Sequence, residues 1–285
     1  MGKARQNFAI RCSFMHFKRL HILIFATILL THAAYGQSKS SDSKFFDKLR
    51  AAGLIEGYLP SPALSEAVHL IPPPPPEGSP QEQYDRASVS LVVKTRSTSQ
   101  IQQAINDADI RFPSIAASFR CALGVEISEA YTPHLYRLMR RSFSDFVLAT
   151  TPIKAHYKRP RPFVVNSRPA CIGKDVERLR NDGSYPSGHS AFGFGWALTL
   201  ASVDPERTIA LVQRGLEIGD GREACNVHWR SDIDQGRVLA SIVFARLQIE
   251  QEFQRDINLA RQEVQQLRGS IVPPDECRHP SVLPD

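Results

Sequence analysis

Long apolar runs are almost absent from this chain of 285 residues. The one near the start, Ile22 to Leu30, has nine residues, well short of the roughly 20 that span a bilayer. The next, around 191–201 and 238–247, have the length of buried core helices, so no stable membrane insertion is expected. Close cysteine pairs are also missing. Cys121, Cys171, Cys225 and Cys277 stand 50, 54 and 52 residues apart with no Cys-x-x-Cys, whereas zinc sites bring their ligands in close pairs. No metal site is expected. The fifth cysteine, Cys12, falls in the first 36 residues, and the four that remain, even in number and well spaced, fit disulfides in an oxidising compartment, in any of three connectivities. Strand-type alternation is nearly absent, and no repeat of 20 to 50 residues occurs. Apolar residues recur at three and four through 131–149, 208–218 and 235–267, which predicts an all-α fold.

Lasting basic charge is the other thing the chain lacks. The formal charge is +6, from 35 Lys and Arg against 29 Asp and Glu. Lys3, Arg5, Arg11, Lys18 and Arg19 fall in the first 36 residues, which hold no acid, so residues 37–285 carry 30 against 29, or +1. A broad nucleic-acid surface needs a basic face that survives processing, and none is expected here. The leader reads as a basic region, an apolar region, and small residues before a cut near Gly36, the pattern of a secretory signal. Met15 gives a leader of more ordinary length. The expected product is an exported, periplasmic protein.

Along the mature chain, residues 37–80 form an arm. Phe45 to Gly57 has helical spacing, Pro60 and Pro62 break it, and five prolines at 72–76 favour a stiff polyproline II segment. An arm lying over the domain is the reading of that run. Residues 81–285 form the helical domain, with 235–267 read as one long amphipathic helix closing the bundle.

Three segments concentrate cations, histidines and glycine. In Lys154-Ala155-His156-Tyr157-Lys158-Arg159-Pro160-Arg161-Pro162, Lys154 and Arg161 are seven apart, nearly one helix face. Pro160 and Pro162 stop the helix, so the arginine leaves on an extended segment. In Pro186-Ser187-Gly188-His189, Ser187 is a sensible N-cap for the apolar helix that follows. The first amides, Gly188 and His189 among them, then point outward where anions bind. The third segment runs from Gly221-Arg222 to His228-Trp229-Arg230-Ser231-Asp232. His228 and Asp232 are i and i+4, and a carboxylate so placed can hold one ring nitrogen while the other keeps its lone pair.

Together these read K-x6-R-P, P-S-G-H and R-x5-H-x3-D, in order. The chain resembles the bacterial class A nonspecific acid phosphatases, within the type 2 phosphatidic acid phosphatase and vanadium haloperoxidase superfamily. Gly57-Tyr58-Leu59-Pro60, the proline run, Tyr185-Pro186 and the 228–234 segment are also similar to class A text. The likeness is weakest between about 81 and 118. The resemblance implies a helical bundle that hydrolyses small phosphate esters, with no cofactor, and with homodimer formation among its properties. It further implies that His228 attacks phosphorus, Asp232 orients it, and His189 serves as general acid and then base. Lys154, Arg161, Ser187, Gly188 and Arg222 would bind the phosphoryl oxygens. One residue departs: Gly221 stands where the family usually has Ser, which implies altered phosphate affinity. Two other activities use the same residues, a nucleoside tri- or diphosphate diphosphohydrolase and a vanadate-dependent haloperoxidase.

Overall fold

In the computed structural model, residues 54–60, 63–64, 69–173, 176–268 and 277 are described. The leader, its cleavage region and Met15 lie outside them, as does most of the 45–57 segment. Residues 54–57 are not helical. Among the described residues there is no strand, and the expected all-α class is what the chain adopts.

The helices that carry the fold are α1 (Pro80–Thr95), α2 (Thr98–Asn106), α3 (Ser114–Ala117), α4 (Arg120–Leu123) and α5 (Pro133–Leu148). They are followed by α6 (Thr151–Tyr157), α7 (Pro162–Val165), α8 (Val176–Arg180) and α9 (Gly188–Val203). After a 3-10 turn at Pro205–Arg207 come α10 (Thr208–Ala224), α11 (Arg230–Leu247) and α12 (Gln251–Leu267). No helix among the described residues is long and apolar enough to cross a membrane.

Helix α9 is apolar on every face because it is the centre of the bundle. It packs against α10, α11, α5 and α12, and Trp196, Ala197 and Leu200 are fully buried. Small residues set how closely its neighbours come. A Cβ at Gly215 of α10 would lie 2.6 Å from the Gly193 carbonyl oxygen of α9 and 2.7 Å from the Ala197 Cβ. A Cβ at Gly236 of α11 would lie 2.7 Å from the Ser187 carbonyl oxygen. Two helices are thereby drawn onto α9 near its N-terminal half. Below that end, Phe112, Phe143, Phe192 and Trp196 meet edge-on or tilted, with centroids 5.0 to 5.9 Å apart.

The 235–267 segment differs from its expectation of one helix. The chain turns at 248–250, between α11 and α12. Leu247 and Phe253 are both fully buried while Ile249 is exposed, so a straight helix could not bury both side chains on one core. The side chain of Gln254 donates to the Gln248 carbonyl at 2.9 Å, satisfying part of the broken ladder. Tertiary burial overrides an uninterrupted helical pattern here.

The 57–59 segment is tethered across α5 and α12. Tyr58 and Leu59 amides donate to the buried Asp145 carboxylate at 2.9 to 3.2 Å, and the Tyr58 hydroxyl donates to Asp256 at 2.9 Å. Burial pushes Asp145 up to about 7. Farther on, the Tyr185 hydroxyl donates to the Pro72 carbonyl at 2.5 Å, bringing the proline run onto the helical body. Two disulfides settle the connectivity: Cys121–Cys277 and Cys171–Cys225.

Gly215→Ala tests the close helix approach. Removing a mid-helix glycine gains about 0.5–1 kcal/mol in conformational entropy, but overpacking against backbone costs about 1–3 kcal/mol. The variant is therefore expected to be net destabilised, read as a lower urea midpoint with an unchanged slope.

Candidate active site

The three sequence segments converge on one cavity of about 580 Å³. Lys154, Arg161, Gly188, His189, Arg222 and His228 all line it. Ser187 and Asp232 stand behind that lining. The side chain of Ser187 accepts from the Ser190 amide at 3.2 Å, capping α9 as its sequence position predicts.

Each cation reaches the cavity from a different backbone device. Lys154 is in the last turn of α6, which ends at Lys158 in a left-handed conformation (φ 46°). Gly183 lets the next strip of chain lie against that turn, since a Cβ there would sit 2.7 Å from the Lys154 carbonyl oxygen. Arg161 is extended between its two prolines. Arg222 is buried in the last turn of α10 and donates to the Ala104 carbonyl at 3.3 Å. Gly221 is helical and faces α2: an added Cβ would meet that of Ala104 at 3.3 Å. A side chain at this position would press on α2, and Gly221 is not part of the cavity lining.

Protein acceptors hold the cations. The Lys154 ammonium donates to the Gly183 carbonyl at 2.6 Å. Arg161 donates to the Leu179, Asp182 and Val227 carbonyls at 3.0 to 3.1 Å and to the Asp182 carboxylate at 2.9 Å. Burial, followed by the nearby Arg161 charge, pushes Lys154 down to about 8.

Arg161 also defines the state of His228. Its Nη1 lies 3.0 Å from His228 Nε2, and a guanidinium can only donate, so Nε2 is the acceptor. The proton then belongs on Nδ1, which faces Asp232 Oδ2 at 3.3 Å. The i,i+4 spacing does not act through one helix, because α11 begins only at Arg230. Asp232 is in its first turn and accepts from the Trp229 amide at 2.9 Å, so one carboxylate both caps α11 and holds the ring. Desolvation and the charges of Arg161, Lys154 and Arg222 hold His228 well below the ordinary histidine range. His189 is likewise lowered, by desolvation and then Arg222 and His228. Its Nε2 has no hydrogen-bond partner among the described residues.

Some residues escape local sequence reading. Asn226, left-handed at φ 62°, exchanges side-chain hydrogen bonds with Asn166 at 2.8 and 3.1 Å and donates to the Arg168 carbonyl at 2.9 Å. With Cys171–Cys225 next to it, this pins the link that carries His228. Asn at a turn is the only local hint, since it tolerates that conformation better than most residues. Arg159 lines the cavity and bridges Asp232 to Asp85 of α1, which do not, at 2.6 and 2.7 Å. Nothing in the spacing announces that contact. Asp182, paired with Lys154 and Arg161 at 3.9 and 2.9 Å, was also unmarked.

Residues 142–255, which span every site residue expected from the sequence, match the PAP2 superfamily. The chain is 36% identical over 212 residues to a non-specific acid phosphatase of Providencia stuartii, covering 74% of this chain and 86% of that protein. An acid phosphatase of Zymomonas mobilis is 34% identical over 212 residues, covering 74% and 80%. A non-specific acid phosphatase of Salmonella typhimurium is 36% identical over 195 residues, covering 68% and 78%. The chain belongs to the class A nonspecific acid phosphatases. In this phosphatase the matched region holds the whole cation cluster, while α1 with Asp85 lies upstream of it.

A histidine lowered by folding stays neutral while its unfolded counterpart takes up a proton near ~6.5. The unfolded state then binds more protons, so stability is lost as pH falls below that value. His189→Gln removes this contribution. Relative to the parent, the variant is expected to gain up to about 1.4 kcal/mol for each pH unit below ~6.5, measured by urea unfolding at several pH values.

Proposed function

We propose that the protein is an exported, metal-independent acid phosphatase that hydrolyses a broad range of phosphate monoesters through a phosphohistidine on His228. The observation that carries this is the His228 ring itself. Its Nδ1 faces a buried carboxylate, and its Nε2 is an acceptor on the wall of a cationic cavity. A neutral imidazole so oriented is a nucleophile.

In the first step the Nε2 lone pair forms a bond to phosphorus as the bond to the ester oxygen breaks. His189, as imidazolium, gives its proton to the departing oxygen. In the second step neutral His189 takes a proton from water, the water oxygen bonds to phosphorus, and the P–N bond breaks to release phosphate. The low proton affinity of His189 in the empty cavity is compatible with this, because a phosphoryl anion beside it favours the charged ring. Lys154, Arg161 and Arg222, with the Gly188 amide at the start of α9, stabilise the phosphoryl oxygens. Ser187 acts by holding that helix end. Removing one such preorganised donor costs roughly 3–4 kcal/mol of transition-state stabilisation.

Breadth of substrate is supported by Ala108, Ile110 and Val147, which line the cavity beside its cations and offer apolar contact that selects no particular leaving group. Lys158, Arg178 and Arg180 also line it, and they favour a second reading in which nucleoside tri- and diphosphates are cleaved at this site. Product analysis on ATP separates the two. Export to the periplasm is supported by the leader pattern and by two disulfides.

The test is p-nitrophenyl phosphate hydrolysis at pH 5 to 7 with EDTA, beside His228→Ala. Turnover should persist in EDTA and fall by at least about 1,000-fold in the variant, and 32P should be trapped on the parent alone. Activity abolished by EDTA and restored by a divalent metal would end this reading.

A further inference from the structure

We propose that Arg159 and Asp85 are positioning residues for the reaction, forming a buried chain His228–Asp232–Arg159–Asp85 that aims the nucleophile through Asp232, although Arg159 itself also lines the cavity. This rests on His228 being the nucleophile, as proposed above.

The geometry is that of a clamp built on the far side of the Asp232 carboxylate. Oδ2 of Asp232 serves His228 Nδ1 and the Trp229 amide, at 3.3 and 2.9 Å. Oδ1 accepts from Arg159 Nη1 at 2.6 Å. The same Nη1 donates to the Ser231 hydroxyl at 2.8 Å, and Nη2 donates to Asp85 Oδ2 at 2.7 Å. Asp85 in turn accepts from the Ser231 amide at 2.9 Å and the Ser231 hydroxyl at 2.5 Å. Asp85 and Asp232 are both fully buried, and the Arg159 side chain retains only 9% of its exposure.

Two physical consequences follow from this arrangement. A carboxylate with burial this complete is driven towards its neutral form, and the Arg159 charge is the largest influence opposing that for Asp232. An ionised Asp232 accepts strongly from Nδ1; a protonated one does so weakly, which would free the ring to rotate or change tautomer. A single Arg–Asp pair would let the guanidinium follow Asp232 wherever it moved. Asp85 holds the second arm of the planar fork from another helix, so Arg159 is a fixed reference for the carboxylate. Asp85 also holds Ser231, in the first turn of the helix that carries Asp232. The chain thus extends from the nucleophile to α1.

The experiment compares the parent, Arg159→Gln, Arg159→Lys and Asp85→Asn, each also in an Asp232→Asn background. The substrate is p-nitrophenyl phosphate, and inorganic phosphate serves as competing ligand. Arg159→Gln is expected to lower kcat by about 100-fold, with the inhibition constant for phosphate moving less than about threefold. Arg159→Lys keeps the charge but loses the fork and should retain about a tenth of parental kcat. In the Asp232→Asn background, Arg159→Gln should add less than about a threefold loss, because it acts through that carboxylate. Losses that multiply in the double variant, or phosphate binding that weakens in step with kcat, overturn the proposal. If Arg159→Gln does not fold, the isosteric Asp85→Asn decides: a kcat about tenfold lower with unchanged phosphate binding supports it, and parental kcat overturns it. The His228 Nδ1 proton, followed by NMR, reads the same geometry without turnover. Its resonance should shift in Asp85→Asn. An inactive parent with that shift defeats the phosphatase reading and leaves the positioning intact, whereas an unmoved resonance removes the positioning.

Discussion

Three cations, Lys154, Arg161 and Arg222, are packed around one cavity, and most of the local architecture answers that constraint. Their mutual repulsion and desolvation are unfavourable, as the lowered proton affinity of Lys154 records. Carbonyl oxygens therefore converge on them. Gly183 serves Lys154 and Arg161, Val227 and Leu179 serve Arg161, and Ala104 serves Arg222. Leu179 and Ala104 offer carbonyls left free in the last turns of α8 and α2, whereas Gly183 and Val227 lie in connecting segments. The chain around the cavity carries a left-handed residue at Lys158 and another at Asn226, and irregular segments flank the short helices α7 and α8. Those irregular segments are then fixed from outside, by the Cys171–Cys225 disulfide and by the Asn166–Asn226 exchange.

The same electrostatic field sets the behaviour of the two histidines. Both lie among positive charges, His228 buried and His189 partly so, and desolvation with those charges lowers the proton affinity of each. They differ in partners: His228 is held on both nitrogens, while Nε2 of His189 is uncommitted among the described residues. One ring is thus fixed in a single tautomer, and the other can change its protonation as the charge in the cavity changes. Two residues of one type acquire different chemistry from what surrounds them, without any difference in the residue itself.

Much of the cavity was legible in the chain because its parts are carried by short, punctuated segments. Prolines at 160 and 162 release Arg161 from α6, and Ser187 announces the start of α9. The all-α class followed from spacing alone. What could not be read depends on partners far away in sequence. Arg159 sits in the first motif, yet its contacts with Asp232 and Asp85 span 73 and 74 residues. The disulfide pairs were one choice among three until the fold brought their halves together. The turn at 248–250 interrupts a pattern with no proline or glycine to mark it, because core burial at Leu247 and Phe253 outweighs local propensity. The surroundings of Gly221 were hidden for a similar reason: the residue faces Ala104 of α2, which lies over 100 positions upstream.

Asp182 gives the empty cavity an occupant of its own. Its carboxylate already rests against Arg161 and near Lys154, while remaining 40% exposed. On the proposed assignment of these cations to phosphate, an arriving phosphoryl group exchanges with an internal anion and does not meet bare charge. The affinity it achieves is a difference between two neutralised states, smaller than the cations alone would give. The same exchange run backwards helps inorganic phosphate to leave, because the carboxylate stands ready to replace it. On that assignment, the cavity is kept from becoming a trap for its own product.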